Sequence, residues 1–308
     1  MAVKQMQNAV IVEGILSEIG LERAVQNKNG VTTDIIRGEV SVRVTREVEK
    51  GFGEVTLDIP VRFYIGKFTN AGNENSAYTS LAAIIDNGKS IAVVGEDQAD
   101  CVRITSSSIR MQEFYTPDGR FVTFPSVRGS FINVIRKSDM IPKARFDCEV
   151  VIGKMETLKD KEGVEVDPKT LQITGINVGY KEYTQLIPFV SHRPDVISGL
   201  MNIYKEEDTV VLSGNLNFSS RTETYYEPVE VGDPIERQRT NRVSELLIDG
   251  SKSRDASLID YEMADIQSCI ATRTVRLDDL LAQAKAKVSG SASTRTKEVE
   301  RTKVDLGF

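Results

Sequence analysis

The chain has 308 residues, with 39 Lys and Arg against 45 Asp and Glu, one His, three Cys and no Trp. That length suits two domains, and 40% apolar with 27% charged residues is ordinary globular composition, which excludes a fibrous or wholly disordered chain. A net charge of −6 gives no global pull toward nucleic acid or anionic membrane, so any polyanion site must come from local segregation of charge.

In chain order, Ala9–Ile19 reads as a strand bent around Gly14, and Ile35–Val44 alternates Val40, Val42 and Val44 with Glu39, Ser41 and Arg43. Val55–Phe68 is a third strand, and Ala77–Asp86 has helical spacing that Gly88 is placed to end. Ile91–Val94 reads as strand-like. Val102–Tyr115 and Phe121–Ile135 follow as strands joined by the turn Thr116-Pro-Asp-Gly119.

Residues 144–250 repeat this order. Phe146–Met155, Leu171–Val178 and Tyr183–Val190 are strand-like, Asp195–Tyr204 is helical, Thr209–Phe218 is a strand, Ser219–Arg242 is a long polar loop, and Val243–Ile248 is the last strand. Thr56-Leu-Asp-Ile-Pro60 and Thr184-Gln-Leu-Ile-Pro188 sit in the strand before the helix of each half, which makes duplication plausible. Asp255–Val288 carries Ile259, Met263, Ile266, Ile270, Leu277, Leu280, Leu281 and Ala284 on one helical face. From Ser289 the sequence is too polar to order itself, and it ends Asp305-Leu-Gly-Phe308. The fold expected is mainly β with minor α+β character: two OB-like five-stranded Greek-key barrels at 1–143 and 144–250, a helical segment at 251–288, and a disordered tail at 289–308 with an apolar tip.

Few residues carry catalytic chemistry. Cys101, Cys148 and Cys269 are odd in number and far apart with no C-x-x-C, and His192 stands alone, so no disulfide framework, zinc site or cofactor is expected. Ala83-Ile-Ile-Asp-Asn-Gly88-Lys89-Ser90 fits a loose phosphate-loop pattern, but helical spacing precedes it where a strand is required. His192, beside Arg193 in a strand-to-helix turn, reads as a polar loop residue, with a base or phosphate contact as the alternative. No acid–base pair stands out, so the chain is not expected to be an enzyme. The opening residues lack the apolar run of a signal peptide and there is no 18-residue apolar stretch, so a cytoplasmic protein without membrane association is expected.

Charge is segregated in one place. Residues 101–147 hold eight basic side chains against four acidic ones, interleaved with Phe114, Tyr115, Phe121, Phe124 and Phe131. Bases that track a phosphate backbone beside aromatic faces that stack nucleobases are the chemistry of single-strand binding. Phe131 and one of Phe121 and Phe124 are expected in the core, leaving Arg103, Arg110, Tyr115, Arg120 and Arg128 as binding candidates. Tyr225 and Tyr226 in the 219–242 loop are held in reserve, because the acids of that loop nearly cancel its arginines.

Tandem OB barrels followed by a polar tail with an apolar tip resemble phage-type single-stranded-DNA-binding proteins of replication and recombination. Asn8-Ala-Val-Ile-Val-Glu-Gly14-Ile-Leu is similar to that family's first strand, and Asp305-Leu-Gly-Phe308 to its terminal acidic-apolar peptide. The tip here has a single Asp and Gly307 in place of adjacent acids and a Pro, and there is no Trp to stack bases. The resemblance implies sequence-independent binding of single-stranded DNA. It also implies that Asp305, Leu306 and Phe308 dock replication or recombination partners, with homo-oligomers as a further option. In that reading the nucleic acid would meet the face of the second and third strands together with the loops after the first and fourth: Gly20–Asp34, Gly51–Gly53, Gly72–Ser76 and Ser219–Arg242. The alternative is a structural subunit of a virion or large homo-oligomer.

Overall fold

The structure is a computed structural model that describes residues 3–28, 30–47, 53–69, 71–160, 162–166, 169–227, 235–253 and 261–301. Within these, the side chains of 28, 31, 219–227, 235–242, 253 and 287–301 lie outside the description. Strand β1 (Asn8–Lys28), β2 (Val31–Glu47) and β3 (Glu54–Gly66) run antiparallel in sequence order. Helices α1 (Ser76–Asn87) and α2 (Ile91–Val94) follow, then β4 (Cys101–Tyr115), β5 (Phe121–Arg128) and β6 (Phe131–Ile135). β5 lies parallel to β3 through Val61 and Val127, β4 lies antiparallel to β5, and β4 closes on β1 from Val10 to Ile15. Five strands thus make a closed ring with a helix between the third and fourth, the OB arrangement, which leaves that barrel no free edge.

The second half builds the same ring. β7 (Lys143–Thr157), β8 (Leu171–Val178) and β9 (Thr184–Ser191) are antiparallel neighbours, α3 (Pro194–Ile203) follows, and β10 (Thr209–Glu227) pairs with β11 (Ile235–Ser253). β9 and β11 meet in parallel at Val190 and Leu247, and β10 closes on β7. The two similar pentapeptides occupy the third strand of their rings, with Ile59 and Ile187 both fully buried. The rings are joined edge to edge, β1 against β7 from Asn8–Cys148 to Glu13–Lys143. Helix α4 (Met263–Arg301) follows.

Period-2 patterning drives these strands. On β3 the buried Leu57, Ile59, Val61 and Phe63 alternate with Asp58, Pro60, Arg62 and Tyr64 on the outer face. Gly14 lies where β1 leaves β4 for β2, and a Cβ there would stand 2.1 Å from the Arg43 carbonyl oxygen, so only glycine allows the approach. Asn75 caps α1 by accepting from the Ala77 N–H, and Ala77, Leu81 and Ile84 face the barrel. At the junction, Glu13 is wholly buried and accepts from Arg103 at 2.9 and 3.0 Å and from the Ile141 N–H at 2.7 Å, with Lys143 at 3.4 Å. Burial pushes its carboxyl up, but these partners outweigh that and hold it below the ordinary value of 4.5.

Several expectations are corrected. Ile91–Val94 is a short helix, its end set by the Gly95 N–H donating to the Ile91 carbonyl. Most of the loose phosphate-loop match therefore lies inside α1. Phe121–Ile135 is two strands: the Gly129 N–H donates to the Arg62 carbonyl, and a Cβ at Gly129 would stand 2.7 Å from the Phe63 ring, so pairing breaks there, and β6 goes on along β4 in the register of β5, from Ser108–Arg128 to Thr105–Phe131. Gly20–Asp34 and Ser219–Arg242 are chiefly paired ribbon, not loop. β1 and β2 stay in register from Leu21–Gly38 to Lys28–Val31, and β10 and β11 from Ser219–Val243 to Glu227–Ile235, because backbone pairing tolerates their polar side chains. The helix begins at Met263, with 254–260 outside the described residues.

Candidate nucleic-acid interface

The outer face of β2 and β3 and the β4–β5 ribbon enclose an open groove of about 1130 Å³. Strand alternation puts Arg37 and Glu39 of β2, and Arg62 and Tyr64 of β3, on its floor. Arg110, Gln112 and Arg128 come from the β4–β5 ribbon, and Tyr183, just ahead of β9, closes one end. Gly38, at φ 131°, lets β2 pair closely with β1 here, since a Cβ would lie 2.1 Å from the Gly20 carbonyl oxygen.

The electrostatics follow from which acids are already engaged. Arg37 donates to Glu22 at 2.6 Å and Arg62 to Glu39 at 3.2 Å. Glu113, its side chain only 3% exposed, is bound by two arginines of α4: Arg273, and Arg276 at 2.6 Å. Every acid of the groove wall is thus neutralised, whereas Arg110 and Arg128 have no ion pair among the described residues. Arg110 instead lies over the Tyr183 ring, 3.4 Å from guanidinium carbon to centroid, and Arg276 sits 4.0 Å from the same ring. Burial first of all, then the like charges of Arg128 and Arg276, push Arg110 below its ordinary value against the opposing influence of Tyr183. It stays cationic, because a guanidinium holds its proton far above neutral pH. Two cations without acid partners, a stacked Tyr–Arg pair and a 40%-exposed Tyr64 in one open groove can hold phosphates and stack planar rings.

The sequence candidates are distributed unevenly. Arg110 and Arg128 come together in the groove. Arg103 does not line it, because its guanidinium is engaged by Glu13. Arg120 is 80% exposed in the β4–β5 turn and pairs with Asp118 at 2.5 Å. Tyr115 packs on Phe121 at the same ribbon end, ring centroids 5.1 Å apart. The expectation that Phe131 and one of Phe121 and Phe124 are core is wrong: Phe121 is 39% exposed, Phe124 and Phe131 are half-buried, and Phe114 at 44% stands edge-on to Phe124. The ribbon extends past the barrel interior, which Ile109, Met111 and Val127 fill. Tyr225 and Tyr226 lie on β10 opposite Arg237 and Glu236, their side chains outside the described residues, as are Asp305, Leu306 and Phe308 entirely.

Arg37, Arg62, Tyr64 and Tyr183 escaped the sequence reading, which followed one basic window. The alternation of β2 and β3 was the signal that could have found the first three. Tyr183 carries none, because it joins the groove only through the docking of the two rings. Among the described residues no cluster of His, Cys, Asp and Glu is placed to hold a metal, and the three cysteines are free and buried. No helix among the described residues is long and apolar enough to cross a membrane.

The YorF family model matches residues 7–283. The chain belongs to the YorF family. No curated protein matches it in sequence. Among solved structures, the fold of this YorF-family chain is similar to that of the wild-type single-stranded DNA binding protein from Thermus aquaticus. The two are 10% identical, with 85% of this chain and 99% of that one covered and a TM-score of 0.50. A deletion mutant of the same Thermus aquaticus protein is 11% identical over 84% and 99% of the two chains, with a TM-score of 0.47.

Proposed function

We propose that this chain binds single-stranded DNA, without sequence preference and without catalysis, in the groove of its first barrel. One observation carries the reading: Arg110 and Arg128 are left without acid partners on the face where an OB barrel meets oligonucleotides. Phosphates would be held by Arg110 and Arg128, with Arg37 and Arg62 able to exchange their carboxylates for phosphate, while Tyr64 and the Tyr183–Arg110 stack offer planar surfaces to bases. The fold shared with the Thermus aquaticus protein is compatible with this use, and the groove chemistry is what argues for it. We extend the proposal to a cytoplasmic role in DNA replication or recombination. Asp305, Leu306 and Phe308 would serve as a partner-docking tip, and the chain would divide into units at 1–143, 144–250, 251–288 and 289–308.

The test is fluorescence anisotropy with a labelled oligo-dT of about 30 nucleotides, longer than one OB site. Binding should weaken steeply with salt, because phosphate contacts release counterions, and duplex of equal length should compete poorly. Absence of binding at low salt removes the proposal.

A second reading, a subunit of a homo-oligomeric assembly, is favoured by one feature: among the described residues β10 pairs beyond Asn215 with β11 and no other strand, which leaves a long backbone edge able to pair with another copy. Defined oligomers in the absence of DNA, with no salt-dependent oligonucleotide affinity, would favour it.

A further inference from the structure

A second cavity, of about 510 Å³, opens where the two rings meet, and none of its lining residues belongs to the groove. Its wall is basic from three directions: Arg46 at the end of β2, Lys143 and Arg145 at the start of β7, and His192 with Arg193 after β9. Glu47 and Asp249 are the acids of the lining.

Three of the four cations have an acid at hand. Arg145 makes a two-pronged pair with Asp249 at 2.7 and 3.0 Å, Lys143 reaches Glu13 at 3.4 Å, and Arg193 pairs with Asp195 at 2.6 Å. Arg46 is different. It has no ion pair among the described residues, and its Nε is buried with no hydrogen-bond acceptor. Burial pushes its guanidinium below the ordinary value, Asp249 opposing and Arg145 adding to the effect. Arginine nevertheless keeps its charge, so a half-buried cation stands beside three others with one N–H unanswered. Buried donors are almost always satisfied, and a desolvated charge is costly until an acceptor arrives. The planar guanidinium fork is matched to phosphate oxygens, and cations on several sides suit an anion with acceptors on several sides.

The cavity is not a continuation of the groove. Between them along β2 lies a stretch that carries Glu18 and in which Arg62 is paired with Glu39 and Asp58 with Arg43, so it offers a strand no cation without an acid partner.

We propose that the junction cavity is a phosphate-binding site in its own right, anchored by Arg46 and flanked by Lys143 and Arg145. The phosphate is either a free anion or the end group of a nucleic-acid strand, and two arms of one experiment tell these apart.

In the first arm, the full chain is melted in phosphate and in chloride at equal ionic strength. Phosphate raises the melting temperature of the wild type above its value in chloride. Arg46→Met and Arg46→Gln lose that difference, with apparent phosphate affinity reduced on the order of tenfold. Arg128→Ala, in the groove, retains it. In chloride, Arg46→Met melts at or above the wild-type temperature, because it removes an unanswered charge. In the second arm, 5′-phosphorylated and unphosphorylated oligo-dT are compared: tighter binding of the phosphorylated strand, lost in Arg46→Met, assigns the site to strand ends, and equal binding assigns it to free phosphate. Equal melting of the wild type in phosphate and chloride, or an undiminished phosphate effect in both Arg46 variants, overturns the proposal. Failure of the groove reading would show separately, as no oligo-dT binding with the phosphate effect intact.

Discussion

The two barrels share a ring topology but present opposite surfaces on the same pair of strands. In the first, the outer face of β2 and β3 is charged and open: Arg37, Glu39, Arg43, Asp58 and Arg62. In the second, the matching face of β8 and β9 carries Ile176, Val178 and Leu186, which join Met6, Val151, Ile266 and Cys269 in a separate apolar cluster under α4. The shared pentapeptide shows the change at one site: its third residue is Asp58 in β3 and Leu186 in β9, while the following Ile stays buried in both. One face of the repeated barrel is thus free to bind, and the other is filled by the chain's own helix. The two are also linked, because α4 delivers Arg273 and Arg276 to Glu113 and so removes the acid that would offset Arg110.

The largest effect should come from breaking the covered side. Ile266 is fully buried, and Ile266→Asp would place a charge in the apolar cluster, costing about 3–5 kcal/mol. A lower melting temperature, increased binding of an apolar dye and weaker oligo-dT binding are expected, the last because Glu113 loses its partners. Gly38→Ala should be next, at about 2–3 kcal/mol in thermal unfolding, since it combines a strained φ of 131° with a Cβ 2.1 Å from the Gly20 carbonyl oxygen. On the open side, Arg110→Ala with Arg128→Ala should weaken oligo-dT binding by about tenfold per arginine and lower the salt slope by about two, with little change in melting.

Glu13 sits at the seam between the barrels, opposite Lys143. Its folded-state pKa lies below 4.5, so the stability it contributes is complete above that value and is lost as pH falls through the lower folded-state value. Acid melting curves should therefore lose part of their decline in Glu13→Gln, which will also be less stable at neutral pH for want of a charge to meet Arg103 and Lys143. Arg120→Ala should matter least: it removes an exposed pair in a turn, so equilibrium melting and oligo-dT binding should both stay near wild type.

Much of the fold was legible because strands announce themselves by alternation. Val40, Val42 and Val44 lie inside as their spacing requires, and Leu171–Val178 has the bounds read from the sequence. The ribbons were not legible, since their polar residues look like loop and only cross-strand pairing reveals them. Ile91–Val94 misled because four apolar residues carry no period. For the site, Arg110 and Arg128 were visible as bases beside aromatics, but the same signal also selected Arg103, which a buried Glu13 holds ninety positions away in sequence. Long-range pairing of this kind leaves no local mark. The role of α4 in clearing Glu113 was equally hidden, for it depends on a helix from one end of the chain reaching a strand near the middle.

Whether the open face binds DNA while the covered face does not can be read from hydrogen exchange with and without saturating oligo-dT. Exchange should slow at Arg37–Ser41, Arg62–Tyr64 and Arg110–Glu113, with no change across Leu171–Val178 and Thr184–Ser191. Protection confined to β8 and β9, or spread equally over both faces, would contradict that expectation.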